Sequence, residues 1–291
     1  MNAMTIKQRD DRITFIEDTH TYLIDGVHDT QYYSVTQFVH QFIQHFDAHN
    51  VIQRMMANPK WPTSKYYNKT PEAITNEWDE LRKTAAELGT QMHLAIEQFY
   101  NKLIDPETAE EQDPNVIATT EYGYFLNFYK CHDHLIPLRT EWRIFDEMYK
   151  LAGSIDMVFL APTANGTGTS IYIYDWKRSK EIKQKNWFQR CLPPLSHLDD
   201  CNYVHYSLQL NVYKFIIERN YGLHVTQLAI IVMHPNNANY IKIELPIMEY
   251  EIECMMEHRI KQLKKEDTAI KTDVQNAGQA STTIPINQES S

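Results

Sequence analysis

Long apolar runs and regularly spaced cysteines are both missing from this sequence of 291 residues. No apolar stretch approaches the length that spans a bilayer, and the opening residues, MNAMTIKQRDDR, carry acids and lack the apolar core of a signal peptide. The four cysteines show no C-x-x-C spacing, so neither a disulfide framework nor a zinc knuckle is indicated. We therefore expect an intracellular protein that is not secreted and has no membrane partner.

Positive charge is also scarce, because 28 Lys and Arg residues face 38 Asp and Glu residues and the formal net charge is -10. Such a balance argues against a protein that coats nucleic acid by bulk electrostatic attraction. Any contact with DNA must therefore be local. Basic residues do concentrate between Lys177 and Arg190, where Glu181 is the single acid. A solvated charged face explains the outer lysines of this stretch equally well.

The first half of the sequence has the periodicity of a hairpin followed by helices. Apolar residues alternate with polar ones in residues 13–26, which contain the turn former Gly26. Ser34 is placed to cap a helix whose apolar positions reach Phe46. A long helix follows, with a predicted buried stripe at Trp78, Leu81, Ala85, Leu88, Met92, Ile96, Phe99 and Leu103. A second row, Gly89, His93 and Glu97, lies on the adjacent face, where Gly89 is expected to allow close packing.

The second half begins with two strands that are apolar on both faces, LAGSIDMVFLAP and SIYIYDWKRS. The Asn165-Gly166 pair between them favours a tight hairpin, so the strands are predicted to be antiparallel neighbours with Asp156 opposite Asp175. A helix ending near Gly222, two more strands and a terminal helix at 248–263 follow. Residues 266–291 lack aromatic side chains and are predicted to be a disordered tail.

Facing carboxylates repel each other when both are ionised, so such a pair usually shares a proton or binds a hard cation. Asp175 and Lys177 are predicted to point to one side of their strand, and Trp176 to the other side under a helix. Two acids and a lysine on one face suit metal-assisted hydrolysis of a phosphodiester, with the lysine stabilising negative charge. The alternative is a surface ion pair between Asp175 and Lys177, but the apolar flanks favour burial.

These residues occur in an ordered set of motifs that resembles the PD-(D/E)xK nucleases, and in particular their RecB-like exonuclease branch. GSID and YDWK resemble the core signature, GTQMHLAIE resembles the upstream helix motif, and QLNVY resembles the QxxxY helix. The resemblance covers about residues 34–235. Within the branch it is closest to the mitochondrial genome-maintenance exonuclease and related phage and large-virus nucleases.

The resemblance implies a restriction-endonuclease-like α/β (mixed α+β) fold, with a central mixed sheet between helices and an N-terminal hairpin and helical extension. It implies a single nuclease domain over residues 1–265, in which residues 1–75 form the extension and 76–265 the catalytic core. The implied activity is Mg²⁺- or Mn²⁺-dependent exonuclease digestion of DNA that is single-stranded or has free ends, in replication, recombination or repair. A helicase, polymerase or recombination protein is the implied partner.

The resemblance also implies roles for individual residues. Asp156, Asp175, Glu97 and His93 are the implied metal ligands, of which the three acids join Lys177 in catalysis. The implied DNA contacts are Gln209, Tyr213, Arg178, Lys180 and Trp187; a buried hydrogen-bonded couple is the alternative for Gln209 and Tyr213. Glu141 fits an acid that the branch places on the preceding strand, but EWRIFDE has three acids and this assignment stays open.

Other classes find less support in the sequence. The H-E-x-x-H motif of a zinc hydrolase is missing, and so is a GxxxxGK[ST] phosphate loop, so neither a zinc enzyme nor a bound nucleotide is expected. The cysteine trio by which some RecB-like nucleases hold an iron–sulfur cluster is also missing. A structure-specific endonuclease or an inactive DNA-binding module of the same fold remains open, although an inactive module has no need of both acids and the lysine.

Overall fold

The computed structural model of the protein describes residues 3–107, 110–161 and 170–280, with side chains from 6 to 268 within those ranges. The α-helices of the described chain are α1 (Ala3–Asp10), α2 (Val35–His40), α3 (Ala48–Met56), α4 (Pro71–Ile104), α5 (Pro114–Ile117), α6 (Thr120–Cys131), α7 (Asn202–Asn220) and α8 (Glu249–Ala280). The strands are β1 (Ile13–Ile16), β2 (Thr21–Ile24), β3 (Tyr33–Ser34), β4 (Ile136–Asp146), β5 (Leu151–Leu160), β6 (Ser170–Arg178), β7 (His224–Met233) and β8 (Ile241–Leu245).

The strands form a separate antiparallel hairpin, β1–β2, and a six-stranded mixed sheet. In the sheet, β5 pairs antiparallel with both β4 and β6, and β7 pairs antiparallel with β8. Two pairings are parallel, β3 with β5 and β6 with β7. This confirms the predicted mixed sheet with an N-terminal hairpin. None of the described helices combines the length and the apolar character that a membrane crossing requires.

Local sequence signals explain where several elements start and stop. Ser34 accepts a hydrogen bond from the Gln37 backbone amide, and the Gln37 side chain caps Ser34 in return, so α2 begins with a complete capping box. Beyond the end of α7, Gly222 has a φ of 63°, a left-handed conformation that glycine adopts without steric cost. Both signals confirm boundaries that the sequence predicts.

Helices cover the sheet on both faces. On one face, buried side chains of α4 and α6, including Ile96 and Phe125, pack on Met157, Trp176 and Ile231 of the sheet. On the other face, buried side chains of α2, α7 and α8 pack on a second apolar set of the sheet, which includes Ile173 and Ile230. The helical residues are Val35, Leu208, Ile216 and Met255. Burial on both faces explains why the strands are apolar at consecutive positions.

The two strands that carry the acidic motifs pair and then separate. Their antiparallel pairing runs from Leu160 opposite Ile171 to Met157 opposite Tyr174, which is the register that the sequence predicts. Past this ladder β6 continues alongside β7 as far as Arg178. Asp156 and Asp175 therefore stand at the point where β5 and β6 diverge. The predicted turn at Asn165-Gly166 lies outside the described residues.

The predicted stripe of α4 is only partly buried. Met92 and Ile96 are in the core, but Leu81, Leu88 and Leu103 are 56%, 38% and 48% exposed, so their predicted burial is wrong. The physical reason is length: at about 1.5 Å per residue, a helix of 34 residues extends beyond the sheet, which covers it only around Met92 to Tyr100. Helical periodicity alone does not show where the covering surface ends.

Two boundary predictions also need correction. The helix capped by Ser34 ends at His40 rather than near Phe46, whose side chain is 64% exposed. The terminal helix runs from Glu249 to Ala280, beyond its predicted end at residue 263, and so includes residues 266–280. This stretch contains Lys, Glu, Ala and Gln, which favour helix, and no proline, so a lack of aromatic residues does not prevent helix formation.

Candidate active site

The carboxylates of Asp156 and Asp175 flank the fork between β5 and β6. The backbone amide of Trp176 donates a hydrogen bond to Asp156 Oδ2 at 2.9 Å. The Asp156 side chain thus takes the place of the backbone carbonyl that continued pairing of β5 and β6 would supply. Lys177 Nζ lies 2.6 Å from Asp175 Oδ2. Trp176 points to the opposite face, where its ring meets those of Tyr100 and Phe125. The predicted alternation along β6 is therefore confirmed, and the three chemical groups share one side of the fork.

Two further groups approach Asp156 from neighbouring elements. His93 of α4 places Nδ1 at 3.4 Å from Asp156 Oδ2. Glu141 lies on β4 between the pairs Thr140–Met157 and Trp142–Ile155, so it faces Asp156 across the strands. Its φ is 40°, a strained value for a residue other than glycine, and such strain is concentrated at functional sites. The Ser154 hydroxyl donates to Glu141 Oε2 at 2.8 Å and fixes its direction.

The site concentrates negative charge in a buried place. Burial, together with the charges of Asp175 and Glu141, raises the pKa of Asp156 well above its ordinary value. Burial alone would lower the pKa of Lys177, but the charges of Asp175 and Asp156 outweigh it and raise that pKa. Burial and the charge of Lys177 lower the pKa of His93, which keeps the imidazole neutral and able to bind a metal.

This donor set fits a divalent metal ion. Among the described residues, His93, Glu141 and Asp156 each offer one ligand atom, and these atoms lie within 4.8 Å of one another. Two carboxylates and an imidazole are ligands that Mn²⁺ accepts, and carboxylates are those that Mg²⁺ prefers. A cation bound there would also offset the repulsion that raises the pKa of Asp156. The residues present therefore suit the predicted metal.

The structure distinguishes among the acids that the sequence left open. Asp146 accepts hydrogen bonds from Asn220 and the Tyr149 amide, and Glu147 pairs with Arg9 and Arg12, so both have structural partners. Glu141 is the acid of EWRIFDE that reaches the cluster. Glu97 lines the same cavity as Glu141 but is not in the group of close ligand atoms, and it accepts from the Asn101 amide at 3.4 Å.

The QxxxY motif forms a hydrogen-bonded couple beside the site, in which only the tyrosine is fully buried. Gln209 Nε2 donates to the Tyr213 hydroxyl at 3.2 Å, and Tyr213 is 4% exposed. The Tyr213 ring packs on Gly153 so closely that a Cβ added there would lie 2.6 Å from Tyr213 Cε1. The glycine of GSID thus makes room for the tyrosine of QLNVY, which links the two motifs by packing.

We expect Gly153→Ala to destabilise the protein by about 1–3 kcal/mol, because the added methyl group overlaps a buried ring that cannot swing away. Urea unfolding measures this change. Gly123→Ala is the matched control, since Gly123 lies within α6 and a Cβ there meets nothing within 4 Å. The control should gain about 1 kcal/mol from helix propensity. Equal urea midpoints for Gly153→Ala and the wild type would contradict the packing argument.

The residues after Asp175 divide into paired and exposed groups. Arg178 lies on the face opposite Lys177, and its Nε donates to Glu121 at 2.7 Å in a largely buried ion pair. This placement argues against the predicted contact of Arg178 with DNA, because the guanidinium already has a partner. Lys180 is exposed, and Trp187 and Phe188 are 80% and 94% exposed. The rings of this loop therefore do not belong to the core.

Three features near the site are not among those that the sequence predicts. Ser154 stands two residues before Asp156, a spacing that places both on one strand face and could have indicated its role. Arg143 stands two residues after Glu141 in the same way. A cavity of about 550 Å³ lies beside Glu141, between α4 and the hairpin residues Phe15 and Tyr22. No local pattern in the sequence could predict that the hairpin faces α4.

The chain is similar to a known protein family and to solved structures. The family described as the PD-(D/E)XK nuclease superfamily matches residues 37–289. Structures similar to this chain include SSO0001, at 12% identity over 89% of this chain and 84% of that chain, with a TM-score of 0.30. Another is a candidate exonuclease from Eubacterium rectale, at 14% identity over 81% and 82%, with a TM-score of 0.40. No curated protein sequence matches the chain.

Proposed function

Because the chain belongs to the PD-(D/E)XK nuclease superfamily, we propose that it is a metal-dependent deoxyribonuclease that digests DNA from a free end. The observation that carries this proposal is the convergence of Asp156, Asp175 and Lys177 at the fork of β5 and β6, with His93 and Glu141 beside them. A binding module without catalysis gains nothing from so costly a concentration of buried acids.

In this proposal Asp156, Glu141 and His93, whose ligand atoms lie close together, hold Mg²⁺ or Mn²⁺. Asp175 is the second acid of the fork and joins them in holding the metal, and Glu97 lines the cavity beside Glu141. When bound, the metal lowers the pKa of water and stabilises the charge of the phosphate. Ser154 holds the Glu141 carboxylate, and the Trp176 amide holds Asp156. Lys177 provides a fixed cation beside the phosphate, which accumulates negative charge as water attacks phosphorus and the bond to the departing sugar oxygen breaks.

The preference for single strands and free ends rests on two features. The order of the motifs from GTQMH to QLNVY resembles the RecB-like exonuclease branch. The loop after β6 presents Trp187 and Phe188 to solvent beside the exposed Lys180, Lys183 and Lys185. Exposed rings among lysines suit single-stranded DNA, whose bases stack on aromatic faces while its phosphates meet cations. The substrate is thus a strand whose bases are unpaired.

Linear and circular substrates test the direction of attack. Purified protein with Mg²⁺ should shorten an end-labelled single strand from its end and leave a single-stranded circle of the same sequence intact. Cleavage of the circle would show endonuclease action and overturn digestion from an end. Binding of both DNAs without cleavage of either would show an inactive DNA-binding module and overturn the nuclease assignment.

We expect Trp187→Ala and Phe188→Ala each to weaken binding of a single-stranded oligonucleotide by about tenfold, because each removes an exposed stacking surface. Fluorescence anisotropy in an Asp156→Asn background measures binding without cleavage. Tyr250→Ala is the matched control, since this ring is 65% exposed on α8. Unchanged affinity in the Trp187→Ala, Phe188→Ala double variant would exclude the loop from DNA binding.

A further inference from the structure

The cavity beside the acidic cluster has walls from two parts of the chain that are distant in sequence. Its volume is about 550 Å³, within the range of sites for small organic groups. Phe15 and Tyr22 of the β1–β2 hairpin form one wall, and α4 forms the other at Gly89. Glu141, Arg143 and Ser154 also line it. The cavity therefore opens directly onto the candidate metal ligand Glu141.

The hairpin wall lies outside the part of the chain that defines the family. The family match begins at residue 37, whereas β1 and β2 end at Ile24. Tyr22 packs against the core formed by Ile13, Ile24, Phe145 and Ala152. Phe15 is its partner across the hairpin, with the two rings 4.7 Å apart and tilted by 41°. One ring held by a small core and a second ring stacked against it give a fixed apolar surface. Flat aromatic groups stack well on such a surface.

The opposite wall is kept open by a glycine. A Cβ added to Gly89 would meet nothing within 4 Å, so the absence of a side chain does not serve helix packing, contrary to the expectation from the sequence. Glycine in a helix interior costs about 1 kcal/mol relative to alanine. Because Gly89 lines the cavity, its effect is to leave space there.

The charges around the cavity restrict what it can hold. Glu17, Glu97 and Glu141 outnumber Arg143 among its lining residues, so a nucleoside triphosphate with several negative charges would be repelled. One phosphate next to Arg143 and one uncharged flat base next to the rings are compatible with this lining. A nucleotide within a DNA strand has this combination of groups.

We propose that the cavity is a nucleotide subsite, in which the base adjoining the cleaved phosphate stacks on Phe15 and Tyr22 and a strand phosphate faces Arg143. This proposal rests on the proposed nuclease function and specifies how its substrate is held. It requires that the base be unpaired, since a base in a duplex is stacked between its neighbours and unavailable for the wall. The hairpin then contributes to the selection of single strands.

An abasic scan tests the subsite. The substrates are a set of single-stranded oligonucleotides, each with one abasic residue, whose position moves along the set from the labelled end. Cleavage of each is measured with the wild type and with Phe15→Ala. At one position the wild type should lose about tenfold in kcat/KM relative to the intact strand, the effect of one lost stacking contact. Phe15→Ala should cleave the intact strand and this abasic strand at the same rate, equal to the reduced rate of the wild type on the abasic strand. A purely structural role of Phe15 would slow both strands by the same factor and leave the abasic penalty in place.

The outcomes separate this subsite from the proposed function. A wild type that cleaves intact strands but shows no abasic penalty, or a penalty that persists in Phe15→Ala, would overturn the subsite alone. Failure of the wild type to cleave any DNA would overturn the nuclease function and the subsite with it.

A second variant tests the cavity from the wall on α4, without disturbing the hairpin. Gly89→Leu should fill the space for the base and raise KM by about tenfold or more, with no loss of melting temperature. Gly123→Leu is its matched control, because Gly123 is also a partly exposed glycine inside a helix with open space at its Cβ. Equal KM values for the two leucine variants would overturn the subsite.

Discussion

Asp156→Asn is expected to lower the rate of DNA cleavage by about a thousandfold while the protein stays folded. Losing a charged ligand removes several kcal/mol of transition-state stabilisation, and each 1.36 kcal/mol is about tenfold in rate. Asparagine keeps an oxygen that can accept from the Trp176 amide and relieves the repulsion from Asp175 and Glu141, so the fold has no reason to weaken. Single-turnover cleavage and thermal unfolding measure the two effects.

Substitution of Lys177 is expected to affect stability as well as cleavage. Lys177→Met should also abolish cleavage, but it leaves Asp175, which is 3% exposed, without its cation. Loss of one partner of a buried ion pair costs about 3–5 kcal/mol of stability. The double variant Asp175→Asn, Lys177→Met should regain that stability and remain inactive. Cleavage near the wild-type rate by Asp156→Asn or by the double variant would contradict the assignment of the site.

Glu141→Gln is expected to slow cleavage by about a hundredfold and to raise the Mg²⁺ concentration needed for half-maximal rate. Glu97→Gln should change both quantities by less than about tenfold, because Glu97 lines the cavity without joining the close ligand atoms. Mg²⁺ titrations of the cleavage rate measure both variants. Ser154→Ala should lose more cleavage rate than Glu97→Gln and less than Glu141→Gln, since it removes only the hydroxyl that orients Glu141.

The order of these three variants is the informative result. A larger loss in Glu97→Gln than in Glu141→Gln would make Glu97 the principal ligand, as the sequence motif implies. It would also mean that Glu141, although held by Ser154, is not a principal ligand of the metal. Melting temperatures within a few degrees of the wild type are the control for folding.

Much of the site could be predicted because its chemistry is encoded over short distances. The hairpin between β5 and β6 has a register that follows from one turn signal, and this register brings Asp156 and Asp175 to the fork. Alternation along β6 places Lys177 beside Asp175 and Trp176 under the helices. Each step depends only on residues within one hairpin, where local geometry determines which side chains meet.

The remaining parts depend on contacts between distant segments. Glu141 meets Asp156 because of the register between β4 and β5, and its positive φ is not encoded by a glycine that could have marked the position. Arg178 is paired with Glu121 of α6, which no pattern near residue 178 reveals. The exposure of Leu81 and Leu88 follows from where the sheet ends beneath α4. Tertiary packing determines each of these features, so periodicity cannot show them.

The most direct test of the account is cleavage of an end-labelled single strand by purified wild-type protein as Mg²⁺ is added and then removed with a chelator. We expect labelled products that require Mg²⁺, stop forming on chelation and are absent with Asp156→Asn at equal concentration. Products that form equally in the chelator, or equally with Asp156→Asn, would contradict this expectation. So would a folded wild-type protein that leaves the strand intact at every Mg²⁺ concentration.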